Sequence, residues 1–354
     1  MKTKKLTRNE IDTVKGILII CIVTGHTLLS NTLLPSLKTV LYAFHVYCFL
    51  FLPFIFVSKP FNFDTIKNTF IRYAVPYVIF VTLCSIVYNF GIQHNISFIS
   101  WLENLSRGII TGNDLYLEMA CGFGLYWFLP VLIVLNILRN FYYAQRSSLK
   151  TLLIILFCIG HILFGAMLWK QKQYFPFFGF HIAVYIMPLG ILCGFIYHNL
   201  FSFLIKFRLL VLLLFILSIY LMIENHSEVC LSHMGVYSYR SPALFLLHNL
   251  IPILALFSFL TFSNIITKVP FVSFIGKNSL IIYLSHQIFI YGIETSLSTF
   301  DILKSNIIFL LATGLFSLFC GVCFPLGIMY ILNSRQNLRR LILPRNANEF
   351  FHAF

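Results

Sequence analysis

The sequence has few charged residues, since Asp, Glu, Lys and Arg together make up 10% of its 354 residues. A soluble domain carries about a quarter, so this scarcity excludes an ordinary soluble protein. Acidic residues are the scarcest, with 11 Asp and Glu against 25 Lys and Arg. The net charge of +14 is explained better by basic loops that orient membrane helices than by nucleic-acid binding. We therefore predict contact with membrane lipid and no nucleic-acid partner.

The sequence also has no internal repeat, no long Gly- or Ser-rich linker and no hydrophilic second domain. Its single C-x-x-C, Cys320 to Cys323, lies in an apolar run without a histidine or a second cysteine pair. Zinc sites need such further ligands, so we expect no metal. Cys121 and Cys230 fall in predicted outer loops, and a disulfide between them is left open.

What the sequence does have is apolar runs, with 59% hydrophobic residues and 40 Phe. Ten runs approach the length of about twenty residues that a helix needs to cross a bilayer. They are residues 14–34, 39–58, 72–91, 123–140, 151–169, 181–198, 208–223, 241–262, 272–292 and 304–331. With the N-terminus inside, 19 of the 25 Lys and Arg lie in predicted inner segments, as the positive-inside rule requires.

The predicted fold is therefore all-α, a polytopic membrane protein of about ten helices with both termini in the cytoplasm. Residues 1–331 form the membrane domain, and residues 332–354 form a basic cytoplasmic tail. The N-terminal MKTKKLTRNE is typical of a signal peptide, but the apolar run after it contains Lys15 and His26 and no small-x-small cleavage site. We predict a retained first span.

Lys15 and His26 are unusual because ionisable groups at membrane depth are costly and usually face the protein interior. Eleven residues separate them, close to three turns, so they share one helix face about 16 Å apart. Asp12 lies one turn before Lys15 on nearly the same face. We predict that Asp12 or His45 orients His26, with an Asp12–Lys15 ion pair as the alternative role of Asp12.

Three further histidines, His45, His248 and His286, fall at a depth similar to that of His26. Several histidines in one layer favour a shared polar cavity over separate core positions. A neutral imidazole can act as a general base toward a hydroxyl, or it can accept an acyl group itself. The sequence leaves both roles open for His26.

Cations lie at the predicted cytoplasmic helix ends, where they would bind phosphate groups. We predict such a role for Lys15, Arg72 and Lys277, together with Asn278 and Ser279, whereas Arg139 is interpreted as a topology signal. Pro76 follows Arg72 by one turn and is predicted to open that helix.

Two groups of residues are predicted to line a binding cavity or to cover it. Ser279, Tyr283 and His286 share a helix face, which favours a cavity-lining role. A short interfacial helix is predicted in the outer loop 92–122, from the helical spacing of Phe98, Trp101, Leu102, Leu105 and Ile109. Trp101 or Trp127 would offer an aromatic platform.

Six motifs follow the order found in one membrane family. They are K-x10-H (Lys15, His26), FHVYCFLF (His45), IRYAVPY (Arg72, Pro76), LYWFLPVL (Trp127, Pro130), LGILCGFIYH (Gly190, Gly194) and FIGKNSLIIYLSH (Gly276 to His286). Over nearly its whole length the chain resembles acyltransferase family 3, in its fucose-O-acetylase-like, single-domain branch. The resemblance implies ten spans, acetyl-CoA as cytoplasmic acyl donor, a glycan acceptor and O-acetylation of a surface polysaccharide in the bacterial inner membrane.

The resemblance also implies roles for single residues. His26 takes the position of the essential histidine, and Lys15 that of the basic residue before it. Arg72 matches the second Arg of an R-x-x-R, but the first position here is Thr69, which departs from the family pattern. Members with a fused SGNH esterase-like domain continue past the last span. Since this sequence ends at Phe354, we expect that it completes the transfer itself or hands the acyl group to an envelope-assembly partner; a homo-oligomer is left open.

Two other function classes compete with an acyltransferase. In a transporter or glycan exporter, the histidines would relay protons or line a path. Inverted repeats and paired broken helices would favour transport, and the sequence shows neither. A non-catalytic assembly subunit would tolerate loss of His26, whereas an enzyme would not.

Overall fold

Helices account for all the regular structure in the part of the chain that the computed structural model describes, residues 5–93, 97–171, 178–225, 241–298 and 307–353. The longer α-helices are α1 (Arg8–Gly25), α4 (Phe63–Ile86), α7 (Phe128–Ala144), α8 (Ser147–Gln171), α9 (Phe180–Lys206), α10 (Arg208–Glu224), α11 (Pro242–Ile266), α13 (Ser279–Ser298) and α14 (Ile307–Ser334). The shorter ones are α2 (Pro35–Tyr42), α3 (His45–Ile55), α5 (Phe98–Thr111), α6 (Asp114–Cys121), α12 (Pro270–Lys277), α15 (Gln336–Ile342) and α16 (Ala347–Phe351). The prediction of an all-helical chain is confirmed for these residues.

Seven helices of the described residues are long and apolar enough to cross a membrane. They are Pro35–Ile55, Phe63–Gly91, Leu125–Ala144, Ser147–Ala166, Phe180–Lys206, Pro242–Ile266 and Ile307–Ser334. The other three predicted spans coincide with α1, α10 and α13, which are shorter or more polar. The count of ten and the cytoplasmic termini stay predictions.

Three predicted spans differ from the helices that the structure shows. The first helix ends at Gly25, and a π-helical turn, Leu29–Leu33, follows it. The second span is broken between α2 and α3, and the ninth consists of α12 and α13 with Asn278 between them. Apolar runs continue across these breaks, so hydropathy alone does not reveal them.

The chain divides into two units. The first holds the described residues of Met1–Ile55, Leu192–Leu231 and Val236–Tyr330. In it α1 packs against α3, α11, α12 and α13, and α10 packs against α11. Side chains that are completely inaccessible, such as Val14, Leu18 and Ile19 of α1, form its core.

The second unit holds the described residues of Phe56–Ile191 and Ile331–Phe354. In it α4 packs against α5, α6 and α7. Arg139 of α7 is buried and donates to the carbonyl oxygen of Phe56 at 2.5 Å. Arg139 therefore holds the start of this unit in place, which gives it a structural contact beyond the predicted topology signal.

The predicted tail is folded against α4 within the second unit. The N–H of Ala347 donates to the side-chain oxygen of Asn68 at 2.8 Å, and Arg339 donates to Glu349 at 3.1 Å. Burial raises the pKa of the Glu349 carboxyl, but hydrogen bonds from the Arg345 N–H and the Arg339 guanidinium outweigh it, so that this pKa lies below its ordinary value. The carboxylate thus stays ionised and ties α15 to α16.

Candidate active site

His26 lies at the end of α1, where its backbone keeps a right-handed helical conformation as the C-cap. The helix ends here because hydroxyl groups of the following residues bind one of its last carbonyl oxygens. Thr27 and Ser30 both donate to the Thr24 carbonyl, at 2.9 and 2.8 Å. The imidazole of His26 is half-buried. A reacting group can therefore reach it, while the packed core of the first unit fixes its base.

Tyr42 is the side chain that hydrogen-bonds to His26. Its hydroxyl lies 3.3 Å from Nδ1 of His26, and the two rings meet edge to face with centroids 5.9 Å apart. Gly25 permits this approach, because a Cβ at that position would lie 3.0 Å from the Tyr42 ring. The contact fixes the orientation of the imidazole and leaves Nε2 as the other nitrogen for chemistry.

His286 of α13 brings a second imidazole to the site, with its ring centroid 5.4 Å from that of His26. Its Nδ1 lies 2.9 Å from the carbonyl oxygens of Ile282 and Tyr283. Carbonyl oxygens only accept hydrogen bonds, so Nδ1 of the neutral ring carries the proton and Nε2 carries a lone pair. That Nε2 is buried and has no hydrogen-bond partner among the described residues. An unsatisfied buried acceptor is costly, which indicates a functional position.

His45 contacts the Tyr42 ring edge to face. It begins α3, is 1% exposed, and has its ring centroid 5.0 Å from that of Tyr42. Its Nδ1 donates to the Leu41 carbonyl, which fixes the tautomer in the same way as in His286. His45 is therefore placed to support Tyr42 and through it His26.

The structure thus brings together His26, His45 and His286, three of the four histidines that the sequence grouped by depth; the fourth, His248, is buried on α11. Tyr42 was missed. The signal that could have found it is its position three residues before His45 in TVLYAFH, because residues at that spacing share a helix face. Tyr283 extends the cluster, being 7% exposed with its ring 6.3 Å from that of His286.

At the other end of α1, Lys15 and Asp12 form an ion pair with 2.5 Å between Nζ and Oδ1. Arg8 adds a weaker contact to the other oxygen of Asp12 at 3.9 Å. Fourteen residues of helix, about 21 Å, separate Asp12 from His26, so the carboxylate does not hydrogen-bond to that imidazole. The predicted orienting contact is made by Tyr42, and a chemical role for Asp12 stays a prediction.

Two glycines bring the break between α12 and α13 against this end of α1. A Cβ on Gly276 would lie 1.6 Å from the Asp12 carbonyl oxygen, and one on Gly16 would lie 2.0 Å from that of Val272. The two helices therefore cross in direct backbone contact. This crossing places Lys277, which is exposed, and Asn278 and Ser279, which are half-buried, beside the turn that carries Asp12 and Lys15.

Arg72 and Trp127 belong to the second unit. Arg72 is exposed on α4 and stacks over the Tyr73 ring at 5.4 Å. The α-helix continues through the buried Pro76, so the predicted opening of this helix is wrong. Trp127 is half-buried and contacts Phe128 edge to face.

Trp101 does not form the predicted exposed platform. The predicted interfacial helix is present as α5, but Trp101 is only 8% exposed and its indole N–H donates to the Ser85 hydroxyl. Phe90 and Phe98 pack against the same ring. Trp101 therefore anchors α5 to α4, because a large aromatic ring with one donor is best placed in a packed site with one acceptor.

The described residues include eight of the nine cysteines. Among those residues no group of three or more His, Cys, Asp or Glu side chains is placed to hold a metal ion. Cys320 and Cys323 are free thiols inside α14, and Cys121 is a buried free thiol that donates to the Val81 carbonyl. Cys230, the other half of the bridge considered from the sequence, lies outside the described residues.

Comparison with known protein families gives one match. A model described as an acyltransferase domain matches residues 8–330, which include all of α1 to α13 and nearly all of α14. Comparison with curated proteins and with solved structures finds no match.

Proposed function

The chain belongs to acyltransferase family 3, and from that membership we propose that it is an O-acetyltransferase of the bacterial inner membrane. Its family and its apolar helices make it a multi-pass membrane acyltransferase. The proposed donor is cytoplasmic acetyl-CoA, and the proposed acceptor is a hydroxyl of a surface or lipid-linked glycan. The observation that supports this most is the imidazole of His26, held at Nδ1 by Tyr42 and faced by His286.

His26 acts on the acceptor hydroxyl through Nε2. With its proton on Nδ1 and donated to the Tyr42 hydroxyl, Nε2 is free to take the proton of the acceptor as that oxygen attacks the thioester carbonyl. The new C–O bond forms as the C–S bond breaks, and the coenzyme leaves as a thiolate that takes up a proton. In the alternative order, Nε2 accepts the acetyl group first and the hydroxyl then displaces it.

His286 and its neighbours bind the acceptor. Its buried Nε2 accepts a hydrogen bond from a hydroxyl of the sugar, which satisfies the lone pair that the protein leaves without a donor. Tyr283 lies beside it on the same helix. Trp127 belongs to the second unit, and its role as a stacking surface stays a prediction from the sequence.

The donor enters at the other end of α1. Lys15, whose ammonium pairs with Asp12, and the Lys277–Ser279 break supply two cations, an amide and a hydroxyl for the phosphates of the coenzyme. From there to His26 the helix rises about 16 Å, a distance that suits an extended pantetheine arm. Arg72 belongs to the second unit, and its role toward phosphate stays a prediction from the sequence.

Replacing Lys15 with alanine is expected to raise the KM for acetyl-CoA about tenfold, since a charge-assisted contact to phosphate is lost. The kcat is expected to change less, because the reacting atoms lie at the far end of α1. Acetyl transfer in membrane vesicles at varied [14C]acetyl-CoA measures both constants. Lys59→Ala, at an exposed lysine, is the matched control. An unchanged KM in Lys15→Ala would remove this residue from the donor site.

Replacing Tyr42 with phenylalanine is expected to slow transfer about threefold to tenfold, equivalent to about 0.5–1.5 kcal/mol for one hydrogen bond. The ring and its packing against His45 are kept, so the protein level should not change. Initial rates per folded protein check this, with Tyr330→Phe as control because Tyr330 is 80% exposed. A wild-type rate in Tyr42→Phe would show that the hydroxyl does not orient His26.

The proposed function is tested by expressing the chain in a strain that lacks it and measuring ester-linked acyl groups on the isolated surface glycan. Mild alkaline release followed by mass spectrometry identifies the acyl group. Release of acetate that depends on the chain supports the proposal. Release of another acid, such as succinate, would mean that the acyl donor is not acetyl-CoA. Absence of any ester, together with chain-dependent movement of glycan or solute across vesicles, would favour the transporter alternative.

A further inference from the structure

Glu294 is a carboxylate in α13, and both of its hydrogen bonds in the described structure lie at one oxygen. Its Oε1 accepts the N–H of Leu28 at 2.7 Å and the hydroxyl of Ser317 at 3.0 Å. An acidic group in an otherwise apolar helix is costly unless it performs a task. The contact to Leu28 joins positions 266 residues apart in sequence.

The N–H of Leu28 has a structural reason to need this partner. α1 has ended at Gly25, and Leu28 is the N-cap of the π-helical turn that follows. Amide groups at such a junction have no partner within a helix. A carboxylate is the strongest acceptor available for one of them, because hydrogen bonds to charged groups are about twice as strong as neutral ones.

The residues around the Glu294 carboxylate are closely packed. Ser317 of α14 is completely buried. One turn earlier, a Cβ on Gly314 would lie 3.0 Å from the backbone nitrogen of Leu29. α13 and α14 therefore hold Glu294 against the turn from one side, while the core of the first unit holds α1 from the other.

From these contacts we infer that Glu294 is the positioning residue for His26. It fixes the backbone two residues after the imidazole, and so sets where that ring lies between Tyr42 and His286. The inference rests on the proposed function, since it assigns to Glu294 a part in the same reaction without contact to the reacting atoms. A displacement of about 1 Å at a reacting group lowers a rate by about 100-fold, so a loosened turn should be visible in kcat.

The test compares variants that remove the acceptor with one that keeps it. Glu294→Ala is expected to lower kcat about 10- to 100-fold with the KM for acetyl-CoA unchanged, because the donor-binding end of α1 is untouched. Glu294→Gln keeps an amide oxygen for both donors and should lie within about fivefold of wild type. Ser317→Ala removes one of the two bonds and should have an intermediate effect.

Each rate is divided by the amount of folded protein, measured as the monodisperse fraction in detergent. A purely structural role would lower that amount and leave the kcat of the remaining molecules unchanged, which would overturn the inference. Glu294→Gln as slow as Glu294→Ala would also overturn it. If Glu294→Ala does not fold, the kcat values of Glu294→Gln and Ser317→Ala test the inference: it stands if Ser317→Ala is slower than Glu294→Gln and fails if Ser317→Ala keeps the wild-type kcat. Ser296→Ala is the control, an exposed serine on α13 bonded to its own helix.

The outcome separates this inference from the proposed function. His26→Ala measured in the same vesicles tests the function alone. If His26→Ala is inactive and Glu294→Ala keeps a normal kcat, only the positioning role fails. If His26→Ala keeps its rate, the proposed chemistry fails whatever Glu294 does.

Discussion

Replacing His26 with alanine is expected to abolish acetyl transfer, with a loss of at least about 100-fold and up to about 10,000-fold, the range that general bases contribute. If His26 instead carries the acetyl group, the loss is at the upper end, because no other route forms the covalent intermediate. The proposed reaction assigns proton or acyl transfer to this imidazole in both cases. Tyr42 cannot replace it, since it lacks a basic nitrogen.

The measurement is ester-linked acetyl on the isolated surface glycan, compared with the membrane level of each variant. His352→Ala, at an exposed histidine outside the cluster, should transfer acetyl at the wild-type rate. Unchanged acetylation by His26→Ala at equal protein level would make the imidazole structural and would end the proposed mechanism. His286→Ala is informative beside it, since loss of an acceptor-binding group should raise the KM for the glycan more than it lowers kcat.

Replacing Gly276 with alanine is expected to destabilise the protein by about 3 kcal/mol or more, the upper end of what overpacking costs. The new Cβ would lie 1.6 Å from the Asp12 carbonyl oxygen and 2.6 Å from the Gly16 nitrogen. Both are backbone atoms, which cannot rotate away as a side chain would, so α1 and α12 must separate. The gain in helix propensity from Gly to Ala, about 1 kcal/mol, is too small to offset this.

Thermal unfolding of the detergent-purified protein, followed by loss of the monodisperse fraction, checks the effect. Gly327→Ala is the matched control, because that glycine also lies in a helix and a Cβ there has no atom within 4 Å. It should be as stable as wild type or slightly more so. Equal melting temperatures for Gly276→Ala and Gly327→Ala would mean that the helix crossing is looser than the structure shows.

Folded Gly276→Ala protein should also bind the donor less well. Separation of the two helices moves the Lys277–Ser279 break away from Lys15, so the KM for acetyl-CoA should rise in any fraction that remains folded. Because small residues allow close backbone approach between membrane helices, this crossing can be identified only when both helices are seen together. The sequence placed Gly276 in a motif but gave no reason for a glycine there.

Much of the candidate site was predicted from the sequence because it depends on local geometry. The 3.6-residue period places Lys15 and His26 on one face of a single helix whatever the rest of the chain does. Depth along predicted spans likewise brought His45 and His286 into the layer of His26. These inferences needed only the rise of a helix and the position of its ends.

Other assignments failed or were missed because they depend on a distant partner. Trp101 or Trp127 was predicted to offer an aromatic platform, but Trp101 is buried, with its indole N–H bonded to the Ser85 hydroxyl on another helix. Asp12 shares the face of His26, yet the length of α1 separates the two side chains. The Asp12 carboxylate forms an ion pair with Lys15 instead. Pro76 was predicted to open α4, but the packed helix continues through it.

The sequence by itself determined that the protein is helical and multi-pass and that one helix carries a lysine and a histidine about 16 Å apart. Both follow from hydropathy and helical period, which are properties of short segments. Only the tertiary structure decided what orients the histidine: Tyr42 at the end of α2, and Glu294, which contacts Leu28 across 266 residues. A hydrogen bond needs two atoms within about 3 Å, and no sequence period fixes that distance between separate helices.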